Sequence, residues 1–302
     1  MPDAEFSSYY GRPVIKSPVW QATDIAGYLF LGGLAGASSL LGAGAQATGR
    51  TGLATVAKTG AGGAALLSLA ALIHDLGRPA RFLHMLRVVK VSSPMSIGSW
   101  LLAGYVPLAG VAGASAVSGR ASRIGATATA GAALLGPAVA AYTAALISDT
   151  AVPAWHDGYR EMPFVFVGSA AEAAGGLGLL AAPLHETGPA RTFAAFGVAT
   201  ELVAAQRMEH RLGLVAEPYR TGRSGGLMRT AKALSVAGAA GALLGRRSRV
   251  VSRLSGAALL AASAATRWGI FTAGNASAQD PKYTVIPQRQ RLAAENIEQR
   301  QQ

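Results

Sequence analysis

The chain has 302 residues, of which 51% are hydrophobic and 14% are charged, and its formal net charge is +12. Soluble domains carry roughly 25% charged residues, so this composition excludes an ordinary water-soluble domain. The positive residues lie between apolar runs, which indicates membrane topology and not nucleic-acid binding. The lack of Cys excludes disulfides and iron–sulfur clusters held by thiolates of this chain.

Eight apolar runs follow one another along the chain, each close to the ~20 residues that cross a bilayer. They predict an all-α integral membrane protein with eight transmembrane helices, arranged as two four-helix bundles, over residues 1–274. A polar C-terminal extension is expected over residues 275–302, and no cleavable signal peptide is expected at the N-terminus. The sixth and seventh runs are the weakest, because charged residues interrupt or flank them. The runs are Ile25–Ala47, Leu53–Ile73, Ile97–Val117, Ile124–Ile147, Phe164–Pro183, Pro189–Val203, Leu227–Leu244 and Val250–Phe271.

Eight spans place both termini and the long loops at about 74–96, 148–163 and 204–226 on one face, here called side A. The opposite face, side B, has only short turns, and these are densely basic, as at Arg246–Arg249. The positive-inside rule gives most weight to short loops, so we expect side B in the cytoplasm of a bacterial inner membrane. Both termini are then expected on the outer face.

Ionisable and phenolic side chains gather at a shallow depth below side A. Ionisable groups at the end of an apolar span are costly, which favours a functional site. The carbonyls of a quinone need hydrogen-bond partners and a nearby proton donor or acceptor, and Tyr, His and Asp are suitable types. The alternative to a functional site is that the Asp residues cap helices and the Tyr residues belong to the aromatic belt at the membrane interface. The candidate quinone-binding residues are Asp24, Tyr28, His74, Asp75 and Tyr142.

Two further groups of residues are candidates for other roles. All four Trp fall at side A, which predicts a partner-docking surface there formed by Arg78, Arg81, Trp100 and Trp155. The alternative for the two Arg is an ordinary solvated salt bridge. Glu172 and Glu201 lie inside predicted spans and are candidates for a proton path, or else are structural carboxylates that are neutral or paired with Arg.

Five segments resemble the NrfD/polysulfide reductase family of membrane subunits. Residues 75–82 read DLGRPARF and residues 93–100 read SPMSIGSW, both typical of the family. The other similar segments are IAGYLFLGGLAGAS at 25–38, YTAALISDTAVPAW at 142–155 and FTAGNASAQDPKYTVIPQR at 271–289. The loop after Ser148 most resembles members encoded with formate dehydrogenases.

The resemblance implies a subunit without a redox metal of its own. It would anchor a four-cluster, ferredoxin-like iron–sulfur subunit and a molybdopterin catalytic subunit, and exchange electrons with menaquinone. The quinone contacts of the polysulfide reductase member correspond to Asp24, Tyr28 and Tyr142 of this chain. Asp24 departs from the family's Asn, which makes it a candidate proton acceptor. The alternatives that stay open are a membrane anchor without its own quinone site and a secondary transporter.

Overall fold

The computed structural model describes residues 14–16, 18, 20–78, 80–120 and 122–301, except the side chains of 293–298, 300 and 301. Of the described residues, 85% are helical, and none forms a strand. The prediction of an all-α fold is therefore confirmed. The helices are α1 (Ala22–Ala47), α2 (Thr51–Asp75), α3 (Ala80–Met85), α4 (Pro94–Ser118), α5 (Ser122–Ser148), α6 (Pro153–His156), α7 (Met162–Ala181), α8 (Gly188–Leu212), α9 (Glu217–Arg220), α10 (Gly222–Leu244), α11 (Arg249–Gln279) and α12 (Lys282–Gln301).

Five of the described helices are long and apolar enough to cross a membrane, namely α1, α2, α4, α5 and α7. The sixth, seventh and eighth predicted runs also lie in long helices, α8, α10 and α11. Their sequences carry more charge, since α8 contains Arg191 and Glu201 and α10 contains Arg229 and Lys232. That these three helices also cross the membrane stays a prediction.

Helix α1 lies at the centre of the molecule and packs against α2, α5, α7 and α11. Its contact with α5 is a backbone crossing at Gly36 and Gly136, where a Cβ on either glycine would overlap the carbonyl oxygen of the other. Small residues at helix crossings let backbones approach closely in membrane proteins. Gly36 and Gly136 therefore mark the contact between α1 and α5.

Helix α11 extends past the boundary that the sequence predicted at Gly274. It continues to Gln279, and Ser277 and Ala278 are both buried. The Ser277 hydroxyl accepts a hydrogen bond from the Ala154 N–H at 3.2 Å, which joins this end of α11 to α6. This end of the helix therefore packs against other elements of side A.

Polar contacts with α6, α7 and α8 fix the positions of the side A loops. The Tyr219 hydroxyl donates a hydrogen bond to the Ala154 carbonyl at 2.8 Å. The Arg211 guanidinium donates to Glu161 at 2.9 Å and lowers the pKa of that carboxyl. The first contact joins α9 to α6, and the second joins the end of α8 to the start of α7, both on the same side as the candidate site.

Candidate quinone site and partner surface

The side A ends of α1, α2, α4 and α5 enclose a cavity of about 90 Å³. Its walls are mostly apolar side chains, including Leu29, Leu102 and Ile147. Met85 of α3 and Trp20, just before α1, also line it. The lining has the character of a small-molecule site, with apolar walls and a few placed polar groups, while the volume is smaller than the ~300–1,000 Å³ of pockets for drug-sized ligands.

Three of the five predicted quinone-binding residues line this cavity: Tyr28 from α1, Asp75 from the end of α2 and Tyr142 from α5. The Tyr142 hydroxyl is buried and has no hydrogen-bond partner. A buried polar group without a partner costs roughly 1–3 kcal/mol, so such groups are rare without a reason. An unpaired donor on a residue that lines an apolar cavity is suited to a ligand carbonyl.

The Tyr142 ring is held in place by α4. A Cβ added to Gly98 would overlap Cε2 of that ring, and Gly98 itself lines the cavity. The neighbouring Ser99 hydroxyl donates to the Met95 carbonyl at 2.8 Å and is not free for a ligand. The missing side chain at position 98 therefore makes the space that the Tyr142 ring occupies.

Asp24 and His74 do not line the cavity but pair with each other. His74 Nδ1 lies 2.7 Å from Asp24 Oδ2, and the exposed fractions of the two side chains are 74% and 18%. Asp24 is one turn from Tyr28 on α1, and His74 directly precedes Asp75. Asp75 in turn accepts a hydrogen bond from the Gln21 N–H at 3.3 Å. The pair thus connects the cavity rim to the side A surface.

The family described as "Polysulphide reductase, NrfD" matches residues 14–192. The chain belongs to the NrfD family. Members of this family are quinone-interacting membrane subunits of redox complexes. With five apolar helices in its described part, this NrfD protein is a multi-pass membrane protein. No curated protein matches the chain. The matched range includes the cavity and every one of the five predicted quinone-binding residues.

The segment 76–96 of this NrfD protein covers one side of the cavity and faces side A. It contains four Arg or Lys residues and no Asp or Glu. Arg78 and Arg81 are exposed, and Arg81 Nη1 donates to the Leu76 carbonyl at 3.2 Å. Trp100 is 44% exposed, and its Nε1 donates to the Val88 carbonyl at 3.4 Å. The surface also exposes five apolar side chains: Leu83, Val88, Val89, Val91 and Met95.

Trp155 does not belong to that surface, and its prediction as a docking residue is wrong. Its side chain is 0% exposed and donates from Nε1 to the Ile270 carbonyl at 2.8 Å. A Cβ on Gly274 would overlap the Trp155 ring, so the absence of a side chain at this position of α11 leaves a slot for the ring. Trp155 also stacks on Trp20 with the ring centroids 6.0 Å apart. It thus supports a residue that lines the cavity.

The predicted carboxylates Glu172 and Glu201 come together in the second half of the protein, away from the cavity. Glu172 is 0% exposed, and neither of its carboxyl oxygens has a hydrogen-bond partner. Arg267 of α11, which the sequence analysis missed, is also 0% exposed and interacts electrostatically with both carboxyls. Its signal in the sequence was a lone Arg near the end of an apolar run. Among the described residues, no group of three or more His, Asp or Glu side chains is arranged to hold a metal ion.

Proposed function

We propose that this chain is the quinone-exchanging membrane anchor of a molybdopterin and iron–sulfur oxidoreductase, with a formate dehydrogenase as the catalytic partner. The observation that carries the proposal is the Tyr142 hydroxyl, buried without a partner in an apolar cavity at the side A end of four helices. An unpaired hydroxyl donor on a residue lining this cavity suits a carbonyl oxygen of a menaquinone headgroup.

The residues around the cavity have two roles, which are binding of the quinone headgroup and proton transfer. Tyr142 donates a hydrogen bond to one carbonyl, and Tyr28 bounds the same cavity from α1. Asp75 contributes a carboxylate to the cavity wall. The Asp24–His74 pair connects the rim of the cavity to the solvent-exposed surface. Quinone reduction consumes protons as well as electrons, so a proton donor and acceptor near the headgroup is required. Asp24 can take up a proton, whereas Asn, the family's residue at this position, cannot.

Electrons reach the cavity from a [4Fe–4S] cluster of a ferredoxin-like subunit that docks on side A. The docking surface is the segment 76–96 together with Trp100. Its cations and exposed apolar side chains suit a partner with acidic and apolar surface, and electrostatic complementarity of this kind orients partners. The molybdopterin subunit is attached through the iron–sulfur subunit.

We further propose that α8, α10 and α11 complete eight spans, in two groups of four helices. The packing of α1 with α2 and α5, and of α4 with α2 and α5, supports the first group. The packing of α7 with α8 and α11, and of α10 with α11, supports the second. The short basic turns of side B support a cytoplasmic position for that face, in a bacterial inner membrane.

The test of the quinone site is equilibrium binding of 2-heptyl-4-hydroxyquinoline N-oxide, a fluorescent menaquinone analogue, to membranes containing the protein. Losing one hydrogen bond costs ~1–3 kcal/mol, so Tyr142→Phe should weaken binding about 10- to 100-fold. Tyr105→Phe is the matched control, because Tyr105 is buried in the same helices but outside the cavity, and its hydroxyl lies 2.8 Å from that of Ser39. Equal affinity in the parent and Tyr142→Phe would favour an anchor without a quinone site.

A further inference from the structure

A second cavity, of about 640 Å³, lies between α8, α9, α10 and α11 and shares no residue with the quinone cavity. It is a crevice that begins among the loops of side A. Its walls carry charges of both signs, among them Glu209 and His210 from α8 and Arg229 and Lys232 from α10. Lys232 lies ten residues into α10, which places an ionisable group well below side A if the helix spans the membrane. Ionisable residues at such depth face a water-filled cavity or a partner.

The crevice ends at Glu201 and Thr266. The Glu201 side chain is 5% exposed, and its Oε1 accepts a hydrogen bond from the Thr266 hydroxyl at 2.6 Å. Its other oxygen, Oε2, is buried and has no partner. The floor of a polar crevice is therefore an incompletely satisfied carboxyl group.

Glu172 of α7 lies next to Glu201 on the side away from the crevice. It faces Glu201, Ser235 and Arg267 closely enough for electrostatic interaction, although neither oxygen makes a hydrogen bond of ordinary geometry. Arg267 donates from Nη2 to the Phe166 carbonyl at 2.7 Å, while its Nε and Nη1 have no partner. Its guanidinium lies 3.8 Å from the centroid of the Phe166 ring. Two carboxyl groups and one cation are thus enclosed together.

The net charge of Glu172, Glu201 and Arg267 is zero only if the two carboxyl groups together hold one proton. Arg267 compensates one carboxylate, and a second negative charge buried without a partner costs several kcal/mol. A proton on the carboxyl pair removes that charge, and it belongs to the pair and not to one residue because the two groups interact strongly. The charged groups facing the pair are Arg267 from α11 and, across the crevice, Glu209, His210, Arg220, Arg229 and Lys232.

We propose that the crevice between α8 and α10 is a water-filled path through which the Glu172–Glu201 pair exchanges one proton with side A. On release, the proton passes from the Glu201 carboxyl to crevice water, the pair becomes doubly ionised, and Arg267 keeps its charge. On uptake the same steps run in reverse. The inference rests on the proposal that α8, α10 and α11 cross the membrane, but it does not depend on the quinone site.

The path also explains why α8 and α10 are less apolar than the five helices α1, α2, α4, α5 and α7. The charged residues Glu201, Glu209, Arg229 and Lys232 all line the crevice. A lipid chain filling the same space would leave these groups without water, at a cost of several kcal/mol for each unpaired ion. Hydration of the crevice is therefore the first point to test.

The chain has no Cys, so a single introduced Cys gives a unique thiol. Lys232→Cys places it in the crevice, and Ala233→Cys places it at the next residue of α10, which is exposed but does not line the crevice. Charged methanethiosulfonates react with the hydrated thiolate, so Lys232→Cys should react roughly tenfold faster or more than Ala233→Cys in intact membranes. Equal rates, whether slow or fast, would overturn the proposal, since the crevice would be dry or α10 would not lie in the membrane.

The exchangeable proton is tested with dicyclohexylcarbodiimide, which reacts with protonated carboxyls in apolar surroundings. Peptide mass spectrometry of the parent should show the adduct on Glu172 or Glu201, declining from mildly acidic to alkaline buffer. Glu161, ion-paired with Arg211 at 2.5 Å, is the internal control and should stay unmodified. No adduct on either buried carboxyl, or a yield that does not change with pH, would contradict the proposal. Analogue binding in Glu201→Gln should equal that of the parent, so failure here is separable from failure of the quinone site.

Discussion

Gly98 of α4 packs directly against the ring of Tyr142 in α5, and a Cβ at position 98 would overlap Cε2 and approach Cζ at 3.2 Å. The contact joins two helices at the point where the cavity needs a hydrogen-bond donor. The placement of the Tyr142 hydroxyl therefore depends on the absence of a side chain on the neighbouring helix.

Gly98→Ala should shift the Tyr142 ring and lower quinone-linked activity of the complex, by about tenfold if the hydroxyl loses its bond to the ligand. Gly110→Ala on the same helix is the matched control, because a Cβ there meets nothing within 4 Å. Alanine favours a helix over glycine by ~1 kcal/mol, so both variants should fold. Equal quinone-linked activities in the two variants would contradict the tight contact.

Asp24→Asn should change the pH profile of quinone-linked activity. The amide keeps the shape of the side chain and can still contact His74, but it cannot take up a proton at the cavity rim. We expect slower quinone turnover with a flatter dependence on pH, while activity with an artificial acceptor, which bypasses the membrane subunit, is unchanged. A variant whose pH profile overlays that of the parent would exclude Asp24 as a proton acceptor.

The double variant Arg78→Glu and Arg81→Glu should loosen the soluble subunits from the membrane. It changes the charge of the docking surface by four units, since each substitution replaces a positive charge with a negative one. The purified complex should lose its iron–sulfur subunit at lower salt than the parent, because salt screens the remaining attraction. Arg207→Glu with Arg223→Glu gives the same change elsewhere on side A, where both residues are exposed. If both double variants release the subunit alike, docking is not specific to the segment 76–96.

Orientation is tested with one Cys on each face. Ser118→Cys lies at the exposed end of α4 on side B, and Gln288→Cys lies at an exposed position of α12. In intact spheroplasts, an impermeant maleimide should label Gln288→Cys and leave Ser118→Cys unlabelled until the membrane is opened. The reverse pattern would place side B outside.

The eight helices that contain the apolar runs were predictable from the sequence, because apolar runs of this length have few other structures available. The convergence of Tyr28, Asp75 and Tyr142 was predictable from their shared depth below side A. The pairing of Asp24 with His74 was not, because depth along a helix does not fix which side chain turns toward the cavity and which toward the surface.

The burial of Trp155 and of Arg267 was not predictable from the sequence. A loop Trp in a membrane protein is typical of an interfacial belt. Only the slot beside Gly274, far away along the chain, reveals that Trp155 is buried. Arg267 lies near the end of an apolar run, where a cation usually reaches the interface. Its burial depends on Glu172 and Glu201, which are distant in the sequence but compensate its charge.

The most direct test of the central claim is quinone-linked activity divided by artificial-acceptor activity in the purified complex, compared between the parent and Tyr142→Phe. The substitution removes only the hydroxyl, so assembly and partner chemistry should be retained. Loss of one hydrogen bond, ~1–3 kcal/mol, predicts a ratio lower by about one to two decades. Tyr105→Phe should leave the ratio at the parent value. An unchanged ratio in Tyr142→Phe would remove its hydroxyl from the site and contradict the proposed quinone function of this cavity.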